Sequence, residues 1–137
     1  MSEVIIYNQL IGQIATEVYR EFHDKKHDDD ERLIIKLENG KSFQFLHFQD
    51  CCENVFIEDI VGDLKDLIGS PIFMAEGVSH SSEENMPDDL VRQDEYSYTW
   101  TFYKFATAKG YVTVRWLGTS NGYYSEAVEF EEIKEVK

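Results

Sequence analysis

Apolar and polar positions alternate along three stretches of this chain, and each alternation is broken by a turn that ends in glycine. Leu33, Ile35 and Leu37 alternate before Glu38-Asn39-Gly40, and Phe43 and Phe45 alternate after it. A two-residue turn at Asn39-Gly40 would pair Lys36 with Phe43 and set the two apolar series on opposite faces. A three-residue loop, Glu38 to Gly40, pairs Ile35 with Phe43 and Leu33 with Phe45. A slip of one residue turns every side chain over, so burial selects the second register. Gly40 then supplies the left-handed residue of a bulge. The same arithmetic makes Ala108-Lys109-Gly110 a loop, with Phe102 opposite Trp116 and Ala106 opposite Val112. It makes Ser120-Asn121-Gly122 another, with Val114 opposite Val128 and Val112 opposite Phe130. Residues 96–132 therefore read as a three-stranded meander. Its apolar face is Trp100, Phe102, Val112, Val114, Trp116, Val128 and Phe130.

A different period occurs once. Ile57, Ile60, Val61, Leu64, Leu67 and Ile68 fall within about 120° of arc at ~100° per residue, which predicts an amphipathic helix over 57–68. Gly69-Ser70-Pro71 is its stop signal. Gly62 weakens it by ~1 kcal/mol relative to alanine, and a rival reading makes 55–57 a strand and starts the helix near Gly62. Residues 16–22 and 72–78 read as further strands. The predicted class is α+β, an antiparallel sheet of hairpins with one short amphipathic helix on a face or closing its end.

Composition adds bounds. The chain has 137 residues, which suits a single domain over 1–137. Hydrophobic residues are 42% of it and aromatic residues 14%, enough for a real core. Two densely charged stretches without apolar period, 23–31 and 79–95, read as exposed loops. The charge is one-sided, with 27 acidic against 13 basic residues and a formal net charge of −14. Such a chain repels phosphate backbones and anionic lipid at long range, so direct contact with nucleic acid or membrane is not expected, and a basic protein surface is the favoured partner. No apolar run reaches the ~18–20 residues of a membrane span, and the start has no basic and apolar secretory pattern. The two cysteines, Cys51 and Cys52, are adjacent, a spacing that seldom gives a structural disulfide. These features point to a reducing cytoplasm.

Three groups of residues have candidate chemistry. His47, Cys51 and Cys52, beside Asp50 and Glu53, are the densest set of metal-ligand types, although zinc sites usually space their cysteines by two to four residues. No cofactor is expected apart from such an ion. On the predicted helix, Asp59, Asp63 and Asp66 form a stripe opposite the apolar face. It is either a solvated face or a row of charges that imitates phosphates for a basic partner. On the terminal hairpins, Arg115 falls opposite Tyr103 on the outer face and Glu126 opposite Trp116 on the apolar face. Tyr103, Arg115, Asn121, Tyr123, Tyr124 and Glu126 would then form an aromatic, hydrogen-bonding surface for a small ligand such as a nucleotide. No phosphate-binding glycine loop, nucleophile elbow or metalloprotease motif is present.

The peptide blocks Gln49-Asp-Cys-Cys-Glu53, Gly62-Asp-Leu, Asp66-Leu-Ile-Gly-Ser-Pro-Ile72, Trp100-Thr-Phe-Tyr-Lys-Phe-Ala-Thr107, Arg115-Trp116 and Ser120-Asn-Gly-Tyr-Tyr-Ser-Glu126 resemble a family of small proteins encoded by bacteriophages and prophages. The resemblance spans roughly residues 12–130. It implies a phage accessory protein acting in the bacterial cytoplasm and implies no catalytic residues. In that setting the expected function is non-enzymatic: binding and modulating a host protein, for instance a defence or nucleic-acid-handling factor with a basic surface, through the aspartate stripe. The alternatives are a small-ligand or nucleotide binder at Arg115 and, less favoured, a metal enzyme at His47 and Cys51. A dimer would suit an exposed tyrosine-rich face.

Overall fold

The computed structural model describes residues 4–22, 31–49, 52–81, 97–120 and 124–134. Among them the chain forms nine strands in two antiparallel sheets. These are β1 (Ile5–Ile6), β2 (Ala15–Phe22), β3 (Glu31–Leu37), β4 (Ser42–Leu46), β5 (Asn54–Val61), β6 (Met74–Ser81), β7 (Ser97–Thr107), β8 (Gly110–Ser120) and β9 (Glu129–Glu132). One sheet has the order β1-β6-β7-β8-β5 and the other β2-β3-β4-β9. The inner faces meet in one core, where the Phe45 ring lies 4.4 Å from Tyr103 and 5.8 Å from Phe105, centroid to centroid. Tyr7, just after β1, is 5.2 Å from Phe45 and 4.7 Å from Phe130 and closes one end. No helix among the described residues is long and apolar enough to cross a membrane.

The first hairpin has the expected register: Ile35 pairs with Phe43 and Leu33 with Phe45. Gly40 sits at φ 91° in the loop, where a side chain is disfavoured. The strand expected over 16–22 forms as β2, and the one expected over 72–78 as β6, shifted toward the C-terminus.

The fold is not α+β, and the predicted helix over 57–68 is absent. Residues 54–61 are strand β5, and the helical content of the described residues is a single 3₁₀ turn, Leu64–Leu67. A β-bulge between Ile57 and Asp59 explains the misleading period. Val55 and Ile57 alternate inward. The extra residue then resets the phase so that Ile60 joins the same core three positions later. Gly62 has φ 102°, and a Cβ there would stand 2.5 Å from the Tyr111 carbonyl oxygen. No helix passes through such a residue. The rival reading, with a strand over 55–57, is the nearer one.

The terminal meander is corrected twice. β7 and β8 do form a hairpin, but its loop is Ala108-Lys109, with Thr107 opposite Gly110. Phe102 therefore faces Arg115, and Tyr103 faces Val114. Tyr103, Phe105, Val112, Val114 and Trp116 point into the core, while Trp100 and Phe102 lie on the outer side. The strand after β8 does not fold back on it. β9 crosses to the other sheet and pairs with β4, Phe130 opposite Phe45. There Phe130 stacks on Phe43 with an interplanar angle of 6°.

β5 is an edge strand, and an unpaired edge is a template for association. Here side chains of the other sheet occupy its centre. Glu31 is buried, accepts the Ile57 N–H at 2.9 Å and is held by Arg20 Nε at 2.7 Å. Arg20 Nη2 donates in turn to the Ile57 carbonyl at 3.4 Å. The peptide beside the bulge is thus satisfied by an ion pair from β2 and β3.

Candidate functional site

The outer face of the five-stranded sheet gathers the strongest recognition chemistry, and the β5 bulge positions it. The register sets Arg115 between Phe102 on β7 and Asp59 on β5. The guanidinium lies 5.0 Å from the centre of the Trp100 ring, a distance at which the ring face attracts a cation. Its Nε donates to Glu58 Oε2 at 2.6 Å, and its Nη2 pairs with the same oxygen. Asp59 Oδ2 lies 3.9 Å from Nη2, with its side chain half-exposed. The His80 and Phe102 rings meet edge to face with their centroids 6.0 Å apart. An arginine does not release its proton at ordinary pH. The resources of this surface are therefore aromatic area, fixed hydrogen-bond donors and an acidic border.

The sequence-predicted ligand set does not converge. Tyr103 is buried on the inner face, whereas Arg115 is on the outer one. The cause is the one-residue difference in the β7–β8 register, which turned Tyr103 over. Asn121 and Tyr123 lie outside the described residues. Tyr124 is half-buried. Glu126 is buried, as an inward position requires, and is satisfied by Thr99 Oγ1 at 2.7 Å and Ser120 Oγ at 2.5 Å. A Cβ on Gly118 would stand 2.7 Å from Glu126 Cβ, so glycine makes room for the carboxylate.

The aspartate set is divided as well. Asp59 is on the bulge. Asp63 caps the 3₁₀ turn, accepting from Lys65 N at 3.0 Å. Asp66 lies inside that turn, and its carbonyl accepts from Thr107 Oγ1. Without a helix the three do not share a stripe, and only Asp59 adjoins Arg115. Sequence reasoning missed Glu58 and Trp100 as members of this surface. The signal for Glu58 was the adjacency of two acids in a β-branched, strand-like segment.

Of the metal candidates, His47 is buried with both ring nitrogens engaged. Nδ1–H donates to the Ala127 carbonyl at 2.6 Å, and Nε2 lies within hydrogen-bond distance of Glu53 Oε2, at 2.8 Å. A carbonyl cannot donate, so Nδ1 carries a proton. Gln49 Nε2 closes the cluster on the Glu53 carbonyl at 2.6 Å. Cys52 is disulfide-bonded, contrary to the reduced pair expected, and Cys51 lies outside the described residues. Among the described residues no three histidine, cysteine or carboxylate side chains group as metal ligands. The His47–Glu53 pair ties the β4–β5 connection to the segment before β9.

The tyrosine pair inside the sandwich has the clearest electrostatic perturbation. Burial, followed by the neighbouring Tyr7 ring, pushes the Tyr103 hydroxyl far above the ordinary tyrosine range. Burial also raises Tyr7, against the opposing hydrogen bond from Tyr103.

Residues 8–130 match the profile of a family described as a domain of unknown function (DUF7448), and the chain belongs to that family. Neither the curated proteins nor the solved structures contain a match.

Proposed function

We propose that this member of the DUF7448 family is a non-enzymatic binding protein, a phage-type accessory factor that attaches to a bacterial host protein with a basic surface and modulates it in the cytoplasm. The observation that supports the reading is the Arg115 surface of a chain with net charge −14. An arginine stacked on tryptophan, bordered by Glu58 and the half-exposed Asp59, has the composition of an interface anchor with a polar rim. The surrounding acidic field steers a basic partner and raises its association rate. The attachment point differs from the aspartate stripe read from the sequence. It centres on Asp59 and Glu58, with Asp63 serving its turn.

The test is capture of host proteins from bacterial lysate by the tagged chain at low and high salt, then titration of the purified partner with wild type and Asp59→Lys. The expected partner is basic, is released by salt, and binds Asp59→Lys about tenfold more weakly, the equivalent of ~1.4 kcal/mol. Asp63→Asn keeps a capping side chain and removes one charge away from Arg115, so it serves as the control. Equal affinities of wild type and Asp59→Lys at low salt overturn the reading.

A further inference from the structure

A groove of about 530 Å³ runs over the outer face of the four-stranded sheet, a volume within the ~300–1,000 Å³ usual for small-ligand sites. Its charged lining inverts the balance of the chain: Arg32, Lys36, Lys41 and Lys134 against Glu21 and Glu132. Ile34 and Gln44 form a buried floor. Tyr19 also lines the groove, with Lys36 Nζ 5.8 Å from the centre of its ring. The bases stand at both ends. Arg32 and Lys36 are four residues apart on one strand, about 13 Å at ~3.3 Å per residue. Lys41 follows the β3–β4 turn at the Lys36 end.

The arginine end is a built feature. Gln44 Nε2 donates to Glu131 Oε1 at 2.6 Å, which turns Gln44 Oε1 toward Arg32 Nη1 at 3.0 Å. That bond holds the guanidinium by one group. Nε is buried and has no hydrogen-bond partner, where nearly every buried donor in a protein has one. Nε and Nη2 form the edge that takes two oxygens of a carboxylate or phosphate in parallel. At the other end Lys36 is partly committed to Glu17, 3.3 Å away, whereas Lys41 and Lys134 are exposed.

We propose that this groove binds an elongated organic anion. One carboxylate or phosphate sits on the guanidinium of Arg32, a flat or apolar middle crosses Ile34 beside Tyr19, and a second negative group lies toward Lys41 and Lys134. The site is independent of the Arg115 surface, which is on the other sheet.

The experiment is titration calorimetry of the full chain with four probes: a 5′-phosphorylated dinucleotide, an aromatic dicarboxylate of similar length, AMP and inorganic phosphate. A two-ended probe binds at least about tenfold tighter than AMP or phosphate. Dinucleotide and dicarboxylate arms identify the source of the anion. Arg32→Lys keeps the charge but loses the fork, and Lys41→Ala removes an exposed charge beside a turn. Each weakens binding about tenfold, and Lys104→Ala on the other sheet does not. Binding of none of the probes overturns the proposal, as does equal binding of one-ended and two-ended probes. Unchanged affinity in Lys41→Ala, a variant whose fold the substitution leaves intact, also overturns it.

Discussion

Replacing Glu31 tests the clamp that closes the β5 edge. Its side chain is 1% exposed, against 43% for that of its partner Arg20. One carboxylate oxygen takes Arg20 Nε and Nη2, and the other takes the Ile57 N–H. Glu31→Ala removes these bonds and leaves the Ile57 N–H without an acceptor. An orphaned buried donor costs ~1–3 kcal/mol, and hydrogen bonds to a charged group contribute ~1.5–3 kcal/mol. Arg20, being half-exposed, returns to water at little cost. The expected loss is about 3–5 kcal/mol, the orphaned N–H and the lost charge-assisted hydrogen bonds taken together. Glu31→Gln keeps an oxygen for Ile57 and loses ~1–2 kcal/mol. Arg20→Ala strands the buried carboxylate with only the Ile57 N–H and costs ~2–4 kcal/mol. The assay is urea denaturation monitored by tryptophan fluorescence. With a slope of ~2 kcal/mol/M, Glu31→Ala lowers the midpoint by about 1.5–2.5 M. The double variant Arg20→Ala/Glu31→Ala separates pair from background, with an expected coupling of ~1–3 kcal/mol. A loss below ~1 kcal/mol for Glu31→Ala, or strict additivity in the cycle, refutes the clamp.

Three further outcomes follow from the same packing. Gly62→Ala adds a Cβ 2.5 Å from the Tyr111 carbonyl oxygen at φ 102°, whereas Gly40→Ala meets nothing within 4 Å at φ 91°. Gly40→Ala therefore costs only the ~1–2 kcal/mol of the left-handed backbone and Gly62→Ala clearly more, as paired urea curves will show. The buried Tyr7 and Tyr103 hydroxyls have folded pKa values above the unfolded ~10. Their contribution is intact below pH ~10 and falls above it by about 1.4 kcal/mol per pH unit for each group, until the folded pKa is reached. Tyr103→Phe must flatten that alkaline limb, and an unchanged slope rejects the assignment. His47→Ala leaves Glu53, whose side chain is 0% exposed, without its imidazole and costs ~3–5 kcal/mol. Addition of zinc or EDTA leaves the melting temperature of the wild type unchanged if the pair is structural, and a zinc-dependent rise would restore the metal reading.

The clamp, the bulge and the candidate surface are consequences of one placement. Because Glu31 and Arg20 hold the Ile57 peptide, β5 keeps its bulge. Because the bulge shifts the phase, Asp59 stands opposite Arg115. The chain thereby protects an edge strand and presents acids beside a cation–aromatic stack in the same few residues.

The features that residue pattern alone encodes here are local. The β3–β4 hairpin was legible to the residue, because only one register buries Leu33, Ile35, Phe43 and Phe45 together and Gly40 permits the loop it needs. The strand character of β2 was legible as well, whereas Glu126 is buried against Gly118 although the β8–β9 hairpin that was to set it opposite Trp116 does not form. Tertiary structure decided the rest. β7 is apolar on both faces, Trp100 and Phe102 on one and Tyr103 and Phe105 on the other, so its own pattern does not choose a register. The choice is made across the core, where Phe45 and Tyr7 meet Tyr103, and it moved Tyr103 away from Arg115. The helix-like spacing of Ile57 and Ile60 arose from a bulge held by Glu31, 26 residues distant in sequence. β9 joined β4 rather than β8 because Phe130 stacks on Phe43, a contact that no turn between neighbouring strands encodes. Periodicity reports which residues seek burial. Which other residues bury them depends on sheets assembled from distant strands, and the sites on their outer faces depend on that assembly.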